Sequence, residues 1–242
     1  MDDEIRQRQV FIDSKGLVWD KRGDELDAHK REFALRATDL KALGLGDQPP
    51  AGLEALITKL HPTVLIGTTG TPGDFNAGVI RAMASGCERP IIFPLSNPTS
   101  QAECTPSEAL THSEGRALVA TGSPFEPVKH NGELHVIGQC NNVFIFPGVG
   151  LGVLISEANR VTDSMFLAAA ETLAKFTAEQ GVTNRCLYPR IQKLREVSRL
   201  ISFKVAQTAR DEGLGRGITD AQIEAAIEAF CWYPEYRPVE LP

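Results

Sequence analysis

Asp13 closes a short β-branched and aromatic run, Gln9-Val10-Phe11-Ile12-Asp13, and Ser14, Lys15 and Gly16 follow at once. In dinucleotide-binding folds an acidic residue at a strand end bonds the adenosine ribose, about 20 residues after a G-x-G-x-x-G turn. Counting back that far from Asp13 passes Met1, so on this reading the phosphate-binding turn is missing from the chain. The alternative is a solvated aspartate in a turn before Gly16. Ser14 and Lys15 supply a hydroxyl and an ammonium, groups suited to a phosphate monoester with about two negative charges near neutral pH. A second set, Gly67-Thr68-Thr69-Gly70, leaves another apolar run. Glycines there let a ligand approach the backbone closely, as a ribose or pyrophosphate requires, although an ordinary tight turn has the same composition. Amides form the third set. Asn97 follows Pro90–Ser96, and Asn141-Asn142 precedes Val143-Phe144-Ile145-Phe146. An uncharged amide both donates and accepts, so it can orient a small polar substrate without changing its protonation. A lone asparagine in a turn is also a common structural device.

Other patterns carry less. Gly148-Val149-Gly150-Leu151-Gly152 resembles a dinucleotide turn, but Val153 stands where the last small residue belongs, and close helix packing explains the glycines. Gly213-Leu214-Gly215-Arg216-Gly217 lacks a preceding strand and reads as a helix-ending loop. The five histidines, His29, His61, His112, His130 and His135, show no metal-ligand spacing. There is no G-x-S-x-G elbow and no P-loop. Tyr188 and Tyr233 fall in the helical tail, away from strand ends, so no acid–base pair and no metal ligand is assigned.

The elements that must position these groups are visible as apolar runs. Gln9–Asp13, Thr63–Gly67, Pro90–Ser96 and Ala117–Gly122 each read as a buried strand of a parallel sheet, continuous rather than alternating. Residues 53–60 and 75–84 carry helical spacing between them. Thr105-Pro106-Ser107-Glu108 suits a helix start, with a threonine cap, proline in the first turn and glutamate at the third position. After Gly152 the pattern becomes helical: 153–180, 191–212 and 220–230. The predicted fold is α/β, an incomplete doubly wound parallel (Rossmann-like) sheet over residues 1–152, with a helical C-terminal extension, 153–242, packed on it. The polar stretches sit at the C-terminal ends of the strands, the edge where open parallel sheets bind ligands.

Composition excludes several classes. The chain has 242 residues, 42 % of them apolar, enough for a sizeable core. Lys and Arg total 25 against 31 Asp and Glu, a net charge of −6, which argues against non-specific nucleic-acid binding. No run approaches the roughly 18 apolar residues of a membrane span. The segment Met1–Phe11 has no apolar stretch of signal-peptide length. Cys87, Cys104, Cys140, Cys186 and Cys231 are far apart, odd in number and without C-x-x-C, as expected of reduced thiols in a cytoplasmic protein.

Taken in order, Ile12–Leu17, HPTVLIGTTG, IRAMAS with ERPIIFPLSNPTSQAECT, ATGSPFEPV, GQCNNVFIFPGVGLG and LYPRIQKLREVSRLIS closely resemble the C-terminal part of malic enzymes. The resemblance covers nearly the whole chain. It implies oxidative decarboxylation of L-malate to pyruvate and carbon dioxide, with a nicotinamide cofactor taking the hydride and Mg²⁺ or Mn²⁺ polarising the keto acid. By that resemblance Asn97 and Asn142 contact malate, Asn141 lies beside both the substrate and the nicotinamide, Asn97 also belongs to the cofactor site, and Gly67, Thr68, Thr69 and Gly70 line the nucleotide. Asp13 then meets the adenosine ribose. Lys30, within His29-Lys30-Arg31, matches the lysine of NADP-preferring members, so NADP is expected over NAD, on condition that Lys15 and Lys30 outweigh an unmatched Asp13. Otherwise Lys15, Lys30 and Arg31 are solvated surface charges. The family's tyrosine acid, lysine base, acidic metal ligands and glycine-rich turn lie upstream of anything matching Met1, so none is assigned here. The implied partners are L-malate or pyruvate, and a second copy of the chain or an N-terminal half. The alternative is a non-catalytic nucleotide-binding or assembly module left by truncation. Another oxidoreductase with only the nucleotide fold in common fits the ordered matches less well.

Overall fold

A computed structural model describes Ile5, residues 8–179 and residues 186–234. The chain divides into two compact units, one running to Cys140 and taking in Cys186 and Leu187, the other holding the residues from Asn141 and from Tyr188 onward.

The first unit is built on a four-stranded parallel sheet in the order β3 (Val64–Gly67), β4 (Ile91–Pro94), β5 (Leu118–Thr121), β8 (Gly138–Gln139). Helices Ala77–Gly86 and Pro106–His112 make the crossovers from β3 to β4 and from β4 to β5. The strands step across the sheet in one direction. Right-handed crossovers therefore place both helices on the same face. That face is dry: Leu65, Ile92 and Val119 pack with Val79, Ile80, Met83, Ala109 and Leu110. On the opposite face of β3, Val64 and Ile66 are 41 % and 59 % exposed. Helix Pro106–His112 starts as its sequence demands. Thr105 accepts from the Glu108 amide at 3.2 Å and Glu108 accepts from the Thr105 amide at 2.8 Å. Between β5 and β8 an antiparallel hairpin, β6 (Val128–His130) with β7 (Glu133–His135), turns on Asn131 (φ 48°) and Gly132 (φ 83°). Two successive positive φ values are what an Asn-Gly hairpin turn needs.

The N-terminal segment differs from the buried parallel strand its composition suggested. Only Ile12–Asp13 (β1) is extended, and it pairs antiparallel with Gly16–Leu17 (β2) through the Asp13–Gly16 turn. Phe11 and Ile12 stay 40 % and 39 % exposed. The apolar anchor of this region is Leu17, which packs with Leu35, Leu40, Leu45 and Leu56. The run was too short and too close to a turn to hold both faces under cover.

In the second unit helices Phe146–Ser156, Asp163–Glu179, Leu194–Asp211 and Asp220–Phe230 form two clusters, around Phe144, Met165 and Ile201 and around Ala206, Ile223 and Ile227. The expected single helix over 153–180 is two. Glu157 is left-handed and ends the first, and the second begins at Asp163. The glycine cluster acts in helix packing. A Cβ on Gly148 would lie 2.6 Å from Ile201, and one on Gly152 2.7 Å from the Ser202 carbonyl. Gly150 faces open space. Because Phe146–Ser156 packs along Leu194–Asp211 over much of its length, the division of the chain falls at 140/141 rather than at 152.

Candidate functional site

All four parallel strands end at one edge, so the segments that follow them gather there: Thr68–Gly70, Ser96–Asn97, Gly122–Ser123 and Cys140. Main-chain bonds carry the ladder past the strand ends, from Leu95 N to Gly67 O (2.9 Å), Gly122 N to Pro94 O (3.3 Å) and Cys140 N to Thr121 O (2.9 Å). Thr68, Thr69 and Gly70 are exposed, while Gly67 is buried because Phe75 and Glu103 occupy the space beneath it. A Cβ on Gly67 would come within 2.6 Å of both side chains. Glu103, fully buried, is the hub of this edge. Its carboxylate accepts from the Thr69 amide (2.7 Å), the Ser96 hydroxyl (2.5 Å) and more distantly the Ser96 amide (3.4 Å). The Ser96 hydroxyl in turn accepts from the Gly70 amide at 2.8 Å. Burial pushes the Glu103 carboxyl up, but the hydrogen bonds from Ser96 and Thr69 outweigh it and hold the group below its ordinary value.

Asn97 stands exposed beside this network. Its side-chain amide donates to Leu95 O at 3.1 Å, and its carbonyl accepts from the Ser123 hydroxyl. Both ends of the amide are therefore oriented before any substrate arrives. Gly122 makes room for it, since a Cβ there would meet Leu95 O at 2.2 Å and the Asn97 nitrogen at 2.9 Å.

A second constellation surrounds Asp13. Arg22 donates to both carboxylate oxygens (2.8 and 3.1 Å), Lys30 adds a bond of 2.8 Å and the Lys15 amide one of 2.9 Å. Led by Arg22 and then Lys30, these donors hold the carboxyl far below the usual carboxylate range, against the opposing effect of burial. Asp13 is thus matched, not unmatched as the sequence reading allowed. The Lys15 ammonium turns to Glu25 at 3.6 Å, and Ser14 is exposed in the turn. Lys30 keeps 44 % of its side chain exposed.

Asn141 and Asn142 belong to the second unit. Asn141 caps a short 3₁₀ turn, Asn142–Phe144, by accepting from the Val143 amide at 2.9 Å, and Asn142 is exposed at its start. Within the first unit the structure joins Asp13 to Lys30, and separately joins Thr69 and Gly70, through Glu103 and Ser96, to the neighbourhood of Asn97. Among the described residues no three His, Cys, Asp or Glu side chains gather as a metal requires, and no helix is long and apolar enough to cross a membrane. The sequence reading missed Arg22, Ser96 and Glu103. Arg22 had no motif to mark it. Glu103 was findable in principle, as a lone acid inside a stretch that must cross beneath a strand-end turn.

The family model for the malic enzyme NAD-binding domain matches residues 1–210. The chain is 42 % identical over 236 residues to a NAD-dependent malic enzyme of Aliivibrio fischeri and 44 % identical over 238 to one of Shewanella frigidimarina. Each match takes in 98 % of this chain but 42 % of the relative, so the chain spans about two fifths of the curated relatives' length. Among solved structures, the Entamoeba histolytica malic enzyme superposes with a TM-score of 0.71 at 28 % identity, over 91 % of this chain and 41 % of that one. The malic enzyme from Pyrococcus horikoshii gives 0.66 at 25 %, over 91 % and 45 %.

Proposed function

We propose, for a chain that belongs to the malic enzyme family through its NAD-binding domain, the role of cofactor-binding part in the oxidative decarboxylation of L-malate to pyruvate and carbon dioxide, with NADP as the hydride acceptor. When bound, the nicotinamide ring supplies the acceptor for the hydride. The residues here bind and orient. Thr68, Thr69 and Gly70 line the nucleotide from the ends of the parallel strands. Asn97, held by Ser123 and Leu95, is ready to fix a malate carboxylate or hydroxyl, and Asn141 and Asn142 are assigned to the same substrate by resemblance. No metal step is assigned to this chain, since the resemblance points to none of its residues as a metal ligand. The assignment to a cytoplasmic setting rests on five cysteines without a disulfide pattern.

The choice of NADP rests on one observation, the pairing of Asp13 with Arg22 and Lys30. A bare carboxylate at this place repels a 2′-phosphate, whereas one carboxylate shared by two cations leaves a surplus positive charge for it. The relatives cited above are named NAD-dependent, so the proposal separates this chain from them. The test is equilibrium binding of 2′-phospho-AMP against AMP, in wild type and in Lys30→Gln. Tighter binding of the phosphorylated nucleotide, lost in Lys30→Gln, is expected. Equal affinity for both, unchanged by the substitution, refutes the NADP assignment.

A further inference from the structure

Glu103 is a carboxylate at 0 % exposure with hydroxyl and amide donors around it and, among the described residues, no cation paired with it. Such a group is costly to bury unless its donors are many and well placed. Packing alone gives no reason to keep it, since a leucine or methionine fills the same volume. Its donors come from two different strand ends. Thr69 lies on the turn after β3, and Ser96 lies one residue before Asn97 on the turn after β4. Its own main-chain carbonyl also accepts from the amides of Gly73 (3.0 Å) and Phe75 (3.1 Å), which closes the far side of the β3 turn.

We propose that Glu103 is the positioning residue of this edge: its buried carboxylate turns the amides of Thr69 and Gly70 inward, the first directly and the second through Ser96, and so fixes both the place and the polarity of the cofactor turn. A glycine-bearing turn at a strand end usually offers its amides to phosphate. Here those amides are already taken and a negative charge lies beneath them. The turn can offer carbonyl oxygens to ligand hydroxyls and a negative potential to a cationic ring. On the reading that the chain binds a nicotinamide dinucleotide, it therefore suits the nicotinamide riboside end, with its positive ring and ribose hydroxyls, and rejects the pyrophosphate.

The test uses amide-resolved NMR on the 242-residue chain. Glu103→Gln keeps the volume and removes the charge, and it forces an amide nitrogen toward Thr69 or Ser96. Exchange at the Thr69 and Gly70 amides should rise at least tenfold while Ile80, Met83 and Ile92 keep their protection. Inorganic pyrophosphate should leave the wild-type Thr69 and Gly70 signals in place and shift them in Glu103→Gln, a gain that loss of packing does not produce. Should that variant fail to fold, Ser96→Ala serves, and it should free Gly70 while Thr69 stays protected. Unchanged exchange at both amides, loss spread evenly over the core, a wild-type response to pyrophosphate, or none in Glu103→Gln overturns the proposal. None of these outcomes depends on cofactor binding, so the proposed function stands or falls by its own experiment.

Discussion

Replacing Asp13 with asparagine removes one negative charge and leaves two cations facing each other. The side chains of Arg22 and Asp13 are only 9 % and 16 % exposed, so water screens their pair poorly. Arg22 is not orphaned by the change, since it also donates to the carbonyls of Gly16 (3.3 Å) and Leu17 (3.2 Å). Exposed ion pairs contribute up to about 1 kcal/mol, while removing one partner of a buried pair costs about 3–5 kcal/mol. With carbonyls retained and Lys30 half in solvent, the expected cost lies nearer the lower class, about 1–2 kcal/mol, or roughly 4 °C in melting temperature. The sign with pH follows from the depressed carboxyl. Its stabilisation is complete above the unfolded carboxylate value of about 3.9 and is lost as pH falls toward the lower folded value. The gap between wild type and Asp13→Asn should therefore be constant from about pH 5 to 7 and close below about pH 4. Urea melts followed by Trp19, which packs in the Leu17–Leu35 cluster, report on this region. Lys30→Gln should cost less than Arg22→Gln, because Lys30 gives one bond from an exposed position. A gap that persists undiminished at pH 3, or no gap at pH 7, refutes the claim that these cations hold the Asp13 turn.

Gly152→Ala should destabilise by about 1–3 kcal/mol in denaturant melts, because its methyl meets the Ser202 carbonyl and Val205. Gly150→Ala, two residues away and facing open space, should be neutral or stabilising by up to about 1 kcal/mol. Thr105→Ala should cost about 1 kcal/mol, read by the same melts, as the hydroxyl that caps Pro106–His112 is lost. Burial pushes the Cys104 thiol up to about 12, so alkylation at pH 8 should reach Cys87 and Cys231 while Cys104 reacts only on unfolding.

The sequence was legible where one local rule decided the outcome. The continuous runs at 63–67, 90–96 and 117–122 became β3, β4 and β5, although β3, at the sheet edge, is covered on one face only and leaves Val64 and Ile66 exposed on the other. Thr105 and Glu108 announced their helix, and Asp220–Phe230 was read to its ends. It misled where an apolar run had no such company. Phe11 and Ile12 stay half-exposed because the chain turns at Ser14 and pairs with itself. The Asn131-Gly132 turn carried a plain hairpin signal that apolar periodicity overlooks, since β6 and β7 have only three residues each. At the candidate site, Thr69 and Asn97 could be singled out because they follow strands of the parallel sheet, whereas Asp13 was singled out on a supposed parallel strand that is in fact one arm of an antiparallel turn. Arg22 and Glu103 were not, because their partners lie 9 and 34 residues away in sequence and only the fold brings them together.

Turnover tests the proposed role in malate oxidation most directly. This chain replaces the matching two fifths of the Shewanella frigidimarina NAD-dependent malic enzyme, and malate-dependent reduction of NADP and NAD is measured on folded protein. The chimera should convert L-malate to pyruvate with a preference for NADP, and Asn97→Ala should abolish that conversion without unfolding it. A folded chimera that reduces neither cofactor, or one whose turnover is untouched by Asn97→Ala, contradicts the assignment.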